Sequence, residues 1–164
     1  DQVLPELREC SFQVACDVNN PLYGPNGATY IFGPQKGVTD DMKDALDNGM
    51  KNYANITKQY MKNDYIEEPG AGAAGGLGYA CISYLNAELT PGISLVLDAI
   101  RLEDDMKDTD YVITGEGRLD AQTAMGKAPI GVARLAKKYN AKVIALAGSI
   151  TKDAAKCNEE GIDA

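Results

Sequence analysis

The segment YVITGEGRLDAQTAMGKAPIGVARLAK, Tyr111 to Lys137, constrains the fold more than any other part of the chain. Tyr111, Val112 and Ile113 are strand formers, and Ala128 to Tyr139 has helical spacing, so a connector rich in glycine and charge joins a strand to a helix. Gly115 and Gly117 are expected to let the backbone turn sharply out of the strand into a polar loop. Around them stand Glu116, Arg118, Asp120, Gln122 and Thr123, before Lys127 opens the helix. Open α/β sheets bind ligands outside the carboxyl ends of their parallel strands, and helix N-termini favour anions. Carboxylates, an Arg and a Lys at that place suit a phosphorylated, metal-bound ligand.

After this helix the Val- and Ile-rich run Lys142 to Ala147 predicts a second strand, and Lys152 to Glu160 a final helix. The order is a βαβα unit of a parallel sheet, whose crossover is expected to be right-handed. Upstream, Phe12 to Val18 predicts a short strand. It leads into Asn19 to Gly37, a turn-rich segment with three prolines and four glycines and a short helix expected near Ala28 to Phe32. Thr39 suits an N-cap, and Met42, Ala45, Leu46, Gly49, Met50, Tyr53, Ile56, Thr57 and Tyr60 repeat at helical spacing, so a long amphipathic helix is expected to about Lys62. Its other face, with Lys43, Asp44, Asp47, Lys51, Asn55 and Lys58, is expected to meet water. PGAGAAGGLG, Pro69 to Gly78, predicts a glycine turn entering a helix, Gly75 to Asn86, with Leu77, Cys81, Ile82 and Leu85 as its apolar stripe. Pro91 to Ile100 and Glu103 to Lys107 predict two further helices.

Composition narrows the chemistry. The chain has 164 residues, 45% of them hydrophobic, a formal charge of −8 and no block of Lys and Arg, so nucleic acid and anionic membrane are poor partners. Without any histidine, Ser-His-Asp and Cys-His catalysis and His-ligated zinc sites are excluded within this chain, leaving carboxylates, Lys, Arg, Tyr and backbone amides. Phosphoryl transfer is compatible with that set. Cys10, Cys16, Cys81 and Cys157 form no CxxC pair, so buried reduced thiols and a cytoplasmic location are expected. No apolar run reaches the length of a membrane span. A chain that starts at DQVLPELREC and stops at GIDA is expected to be part of a longer protein.

Three segments in order, VACDVNNPLYGPNGATYIFGPQKG (Val14 to Gly37), PGAGAAGGLG and GEGRLDAQTAMGKAPIGVA, resemble the glycerate kinase family in its bacterial form. The resemblance implies an α/β fragment of a two-domain kinase. Residues 1–107 would be a mostly helical and loop part of an inserted second domain, and 108–164 a βαβα piece of a Rossmann-like parallel sheet. It also implies ATP-dependent, Mg²⁺-assisted phosphorylation of glycerate. Under that reading Glu116, Asp120 and Lys127 are the catalytic candidates, Glu116 and Asp120 also holding the metal, and Arg118 contacts phosphate or the substrate carboxylate. Spacing leaves open which carboxylate binds metal and which orients the attacking hydroxyl.

Gly70, Gly72 and Gly75 match G-x-G-x-x-G but lack the Lys and Ser or Thr of a phosphate loop. They are expected either to allow close packing or to form a nest of amides facing phosphate or carboxylate. Asp17 and Lys36 enter as binding candidates through the resemblance, against a local turn-capping role for Asp17. The charges around Glu116 could instead be solvated and mutually paired. Two other classes compete with the enzyme: a binding module without catalysis, and a fragment that self-associates through an unpaired sheet edge as a homo-oligomer. Since the family carries further acidic and glycine-rich motifs in an N-terminal region absent here, the isolated chain is expected to be inactive.

Overall fold

The computed structural model describes residues 4–164 and divides into two compact units, Asp1–Gly92 and Ile93–Ala164. In the first, strand β1 (Gln13–Ala15) pairs in parallel with β2 (Glu88–Thr90), and between them run α1 (Ala28–Phe32), α2 (Asp40–Met61) and α3 (Ala73–Leu85). In the second, α4 (Gly92–Ala99) and α5 (Leu102–Met106) precede β3 (Tyr111–Leu119). The short α6 (Ala121–Ala124), α7 (Ala128–Lys138), β4 (Lys142–Ile150), a 3₁₀ turn and α8 (Lys156–Glu159) follow. The mixed α/β character with parallel strands and the βαβα order of the second unit agree with the sequence reading. The division after Gly92 falls ahead of the expected 107/108 boundary, because Leu97, Leu102 and Met106 pack into the same core as Val112 and Ile130.

That core is built by α7 lying on the β3–β4 pair. Val112 and Leu119 from β3, Val143 from β4, and Ile130, Ala133, Leu135 and Ala136 from α7 are all buried together. Along β3 the inward positions run 112, 114, 116 and then 119, so the strand alternation slips by one residue across Gly117, as glycines in strands often permit. The opposite face carries Tyr111, Ile113, Leu146 and Ile150, which are 64–69% exposed.

Several sequence expectations change. The strand does not end in a loop at Gly115: it continues to Leu119, and β4 extends to Ile150, because the two strands stay hydrogen-bonded past the glycines. On α2 the apolar stripe is only partly covered, with Ala54 and Thr57 buried and Met50 and Tyr53 packed against the core of Leu22, Ala71 and Tyr79, whereas Met42, Leu46, Ile56 and Tyr60 remain exposed. Asp47, expected in water, is 3% exposed: its Oδ1 accepts the Gly24 amide at 2.8 Å and its Oδ2 faces Lys51 Nζ at 3.1 Å. Satisfying a loop amide with a buried, paired carboxylate overrides the helical polarity pattern. Leu77 is likewise exposed, because Ala74, Gly75 and Gly76 have left-handed backbones and regular helix begins after them. Thr39 occupies the N-cap of α2 with extended backbone, without a side-chain capping bond.

The cysteines are all unpaired, but only Cys157 is buried. At the far end, Asp163 ties the C-terminal segment to β4. Its carboxylate accepts from Lys137 Nζ at 2.5 Å and the Val143 amide at 2.7 Å, with Lys142 Nζ at 3.5 Å. The Lys137 bond and then the Val143 bond hold its carboxyl down to about 2, from an ordinary 3.8. A lowered pKa contributes stability above the ordinary value that is lost as pH falls through the folded one. Asp163→Asn should therefore flatten the loss of stability between about pH 4 and about pH 2, as read by urea midpoints across that range.

Candidate active site

The candidate residues of the second unit gather where β3 ends. Asp120 is the N-cap of α6: its Oδ1 accepts the amides of Gln122 at 2.9 Å and Thr123 at 3.2 Å, while Thr123 Oγ1 accepts the Asp120 amide at 3.2 Å. This reciprocal capping box is why the chain turns here and not at Gly115. Thr123 is fully buried, and its hydroxyl donates to Glu116 Oε1 on the last turn-facing stretch of β3. Gly126, at φ +108°, and Lys127 then lead into α7 with Pro129 in its first turn.

Around Asp120 the cations stand at equal range. Arg118 Nε lies 3.8 Å from Asp120 Oδ2, and Lys127 Nζ lies 3.8 Å from Oδ1. These separations exceed hydrogen-bonding distance, and the Arg118 and Lys127 side chains are both exposed to solvent, so the pairs are loose and both cations can turn to an anionic ligand. Behind them Cys157 Sγ donates to the Asp120 carbonyl at 3.7 Å. Burial, followed by the charges of Glu116 and Asp120, pushes that thiol's pKa up, so Cys157 stays protonated beside the site.

Glu116, Arg118, Asp120 and Lys127 are thus brought together, with Thr123 as the link between the two carboxylates. The sequence reading named Thr123 as part of the segment without a role. The capping-box spacing of Asp120 and Thr123 was the available signal.

The remaining candidates lie in the first unit. Asp17 does not cap its own turn: its Oδ1 accepts the amide of Gly92 at 2.9 Å. Gly70, at φ +91°, would drive an added Cβ to 2.7 Å from both Cys16 Sγ and Leu89 Cδ1, and one at Gly72 would come within 2.3 Å of the Pro21 carbonyl. The amides of Ala71, Gly72 and Ala73 are donated to Glu68, Asn20 and Gly70 carbonyls. Gly75 is exposed, with open space around it and φ +73°. Close packing is therefore the role visible at Gly70 and Gly72. Lys36 closes the exposed 3₁₀ turn Pro34–Lys36. A cavity of about 380 Å³ lies beside the glycine turn, lined among others by Cys16, Asn19, Glu68, Pro69, Leu89 and Pro91.

Among the described residues no three His, Cys, Asp or Glu side chains are grouped to hold a metal ion, and no helix is long and apolar enough to cross a membrane.

A parallel βαβ unit, with two carboxylates and two loosely held cations about the carboxyl end of its first strand, makes this an α/β protein of the parallel-sheet class, whose members generally bind ligands at that end. Over residues 1–164 the chain matches the sequence profile of the glycerate kinase family, and it belongs to that family. It is 51% identical over 158 residues to a glycerate kinase of Bacillus subtilis strain 168, covering 96% of this chain and 41% of that protein. It is also 51% identical over 160 residues to a glycerate 2-kinase of Escherichia coli K12, covering 98% and 42%. A crystal structure of a candidate glycerate kinase 2 from Salmonella typhimurium LT2 superposes with a TM-score of 0.79 at 40% identity, covering 95% of this chain and 46% of that one. The chain therefore spans less than half the length of each of these relatives.

The two motif glycines differ in their surroundings. A Cβ on Gly115 would sit 2.3 Å from the Leu146 carbonyl oxygen of β4, whereas Gly117 has open space. Gly115→Ala should destabilise the second unit by about 1–3 kcal/mol and Gly117→Ala by less than about 0.5 kcal/mol in denaturant unfolding.

Proposed function

We propose that the full-length protein transfers the γ-phosphoryl group of ATP to a hydroxyl of glycerate, with Glu116, Asp120, Arg118 and Lys127 in its active site. The observation that carries this reading is the pair of carboxylates bonded to one buried threonine at a strand end, Glu116 to its hydroxyl and Asp120 to its amide, with a guanidinium and an ammonium each 3.8 Å from Asp120. Phosphoryl transfer asks a protein mainly to position reactants and to stabilise charge, and this set supplies groups for both.

Arg118 and Lys127 serve as contacts for the phosphates of ATP or the carboxylate of glycerate. Glu116 and Asp120 are suited to Mg²⁺, which usually keeps water and phosphate oxygens and needs only one or two carboxylates from the protein. Each carboxylate commits one oxygen to the local hydrogen bonds, Glu116 Oε1 to Thr123 and Asp120 Oδ1 to the α6 amides. The second oxygen of each remains for a ligand. When bound, the metal would neutralise phosphate charge. A carboxylate that does not hold it orients the glycerate hydroxyl and takes its proton as the oxygen attacks.

In the same reading, the first unit is part of the inserted domain and the second part of the Rossmann-like domain. Asp17, Lys36 and the turn at Gly70, Gly72 and Gly75 are binding candidates within the first unit. The apolar face of Tyr111, Ile113, Leu146 and Ile150 is covered by further chain in the full-length protein, since parallel sheets are normally buried on both faces. The isolated 164-residue chain would then lack turnover and self-associate through that face, which sedimentation at several concentrations reads directly. Unpaired cysteines accord with a cytoplasmic location.

The test is Mg²⁺-dependent phosphorylation of D-glycerate by the full-length protein. Asp120→Ala should lower kcat by about 100-fold or more, while removing the helix cap costs only about 1 kcal/mol of stability. Lys127→Ala should lower kcat/KM by at least about 10-fold with the fold retained. Wild-type kinetics in both variants would remove this segment from the active site. A wild-type protein that binds ATP and glycerate without turnover would favour the binding-module reading.

A further inference from the structure

We infer that Thr123 is a positioning residue for phosphoryl transfer, holding Glu116 in fixed register with Asp120. This rests on the reading of the Glu116–Lys127 segment as the active site. A buried threonine at the third position of a four-residue helix would ordinarily be explained by capping alone, and its oxygen does accept the Asp120 amide at 3.2 Å. Capping uses only a lone pair, however, and leaves the hydroxyl proton to be placed. That proton goes to Glu116 Oε1, seven residues back on the strand, with the Arg118 carbonyl a longer alternative at 3.4 Å.

The bond to an ionised carboxylate is the stronger of the two. Because Thr123 is fully buried, its hydroxyl has no water to exchange partners with, and its amide is also fixed on Asp120 Oδ1. The Thr123 hydroxyl therefore sets the rotamer of Glu116 and anchors the Asp120 backbone, while the Thr123 amide, with that of Gln122, holds the Asp120 carboxylate. A carboxylate on a strand and another on a helix cap have no covalent reason to keep a constant separation. Thr123 supplies it, as outer-shell hydrogen bonds do for ligating carboxylates.

The experiment compares Thr123→Val, which keeps the branched shape but removes the hydroxyl, with Thr123→Ser, which keeps the hydroxyl, in the full-length protein. Thr123→Val should lower kcat about 10-fold with KM for glycerate within about twofold, and Thr123→Ser should stay within about threefold of wild type. The valine variant should also need more Mg²⁺ for half-maximal rate. In a Glu116→Gln background, Thr123→Val should add little further loss, because both changes act on one group. If valine disturbs folding, as a shift in melting temperature or circular dichroism would show, Thr123→Ala takes its place in the same comparison.

A wild-type kcat in the hydroxyl-free variant, alongside an impaired Glu116→Gln, would overturn the inference while leaving the site intact. Equal losses in the serine and valine variants, or losses that multiply with Glu116→Gln, would overturn it too, by assigning Thr123 a packing role or a separate one. Wild-type rates in Glu116→Gln and Asp120→Ala would instead overturn the site reading and this inference with it.

Discussion

The parallel ladder between β3 and β4 is the interaction on which the second unit depends. It runs from Tyr111 opposite Lys142 to Leu119 opposite Ile150, and at its far end Thr151 still donates its amide to the Leu119 carbonyl. Parallel strands cannot be joined by a tight turn, so the chain between them must cross over the sheet, and that crossing lays α7 on one face. Ile130 and Ala133 then close over Val112 and Val143. The ladder can continue past Gly115 because that residue has no side chain to strike the Leu146 carbonyl. Without that close approach the strand would end four residues earlier, and Glu116 and Arg118 would hang on a loop.

Where the ladder stops, one carboxylate does two things. Asp120 caps α6, which satisfies amides that a helix end would otherwise leave open, and it sits between Arg118 and Lys127. A group fixed by backbone hydrogen bonds is held more firmly than one on a free side chain, so the surrounding cations need not pair tightly to be kept in place. The first unit shows the complementary use of glycine. Gly70 and Gly72 let the turn press against Cys16, Leu89 and the Pro21 carbonyl, and the Gly72 amide is donated to Asn20, which ties the Asp17 to Pro21 stretch to the glycine turn.

Much of this was legible in the residues. The short helix Ala28–Phe32, the long one beginning after Thr39, α7, and the strand–helix–strand order were visible in periodicity and punctuation, because each is long or sharply bounded. The clustering of Glu116, Arg118, Asp120 and Lys127 was visible because they are close in sequence. Strand β1 was legible within Phe12 to Val18, but β2 was not: three residues long, and paired only with a segment distant in the chain, it leaves almost no local pattern. Asp47 was misplaced because helical polarity says where a side chain points but not that Gly24, far along the chain, needs an acceptor there.

The sequence by itself determined the α/β class, the order of elements in the second unit and the residue types available for chemistry, since hydrophobic period, turn residues and the absence of histidine are local or compositional properties. Only the tertiary structure decided how far β3 extends, that Gly115 serves strand contact instead of turning, that Asp17 meets Gly92, and that the Thr123 hydroxyl links Glu116 to Asp120. Each of these depends on which groups the fold brings within a few ångströms. Hydrogen bonding and steric exclusion act at that range, and residue spacing along the chain does not encode it.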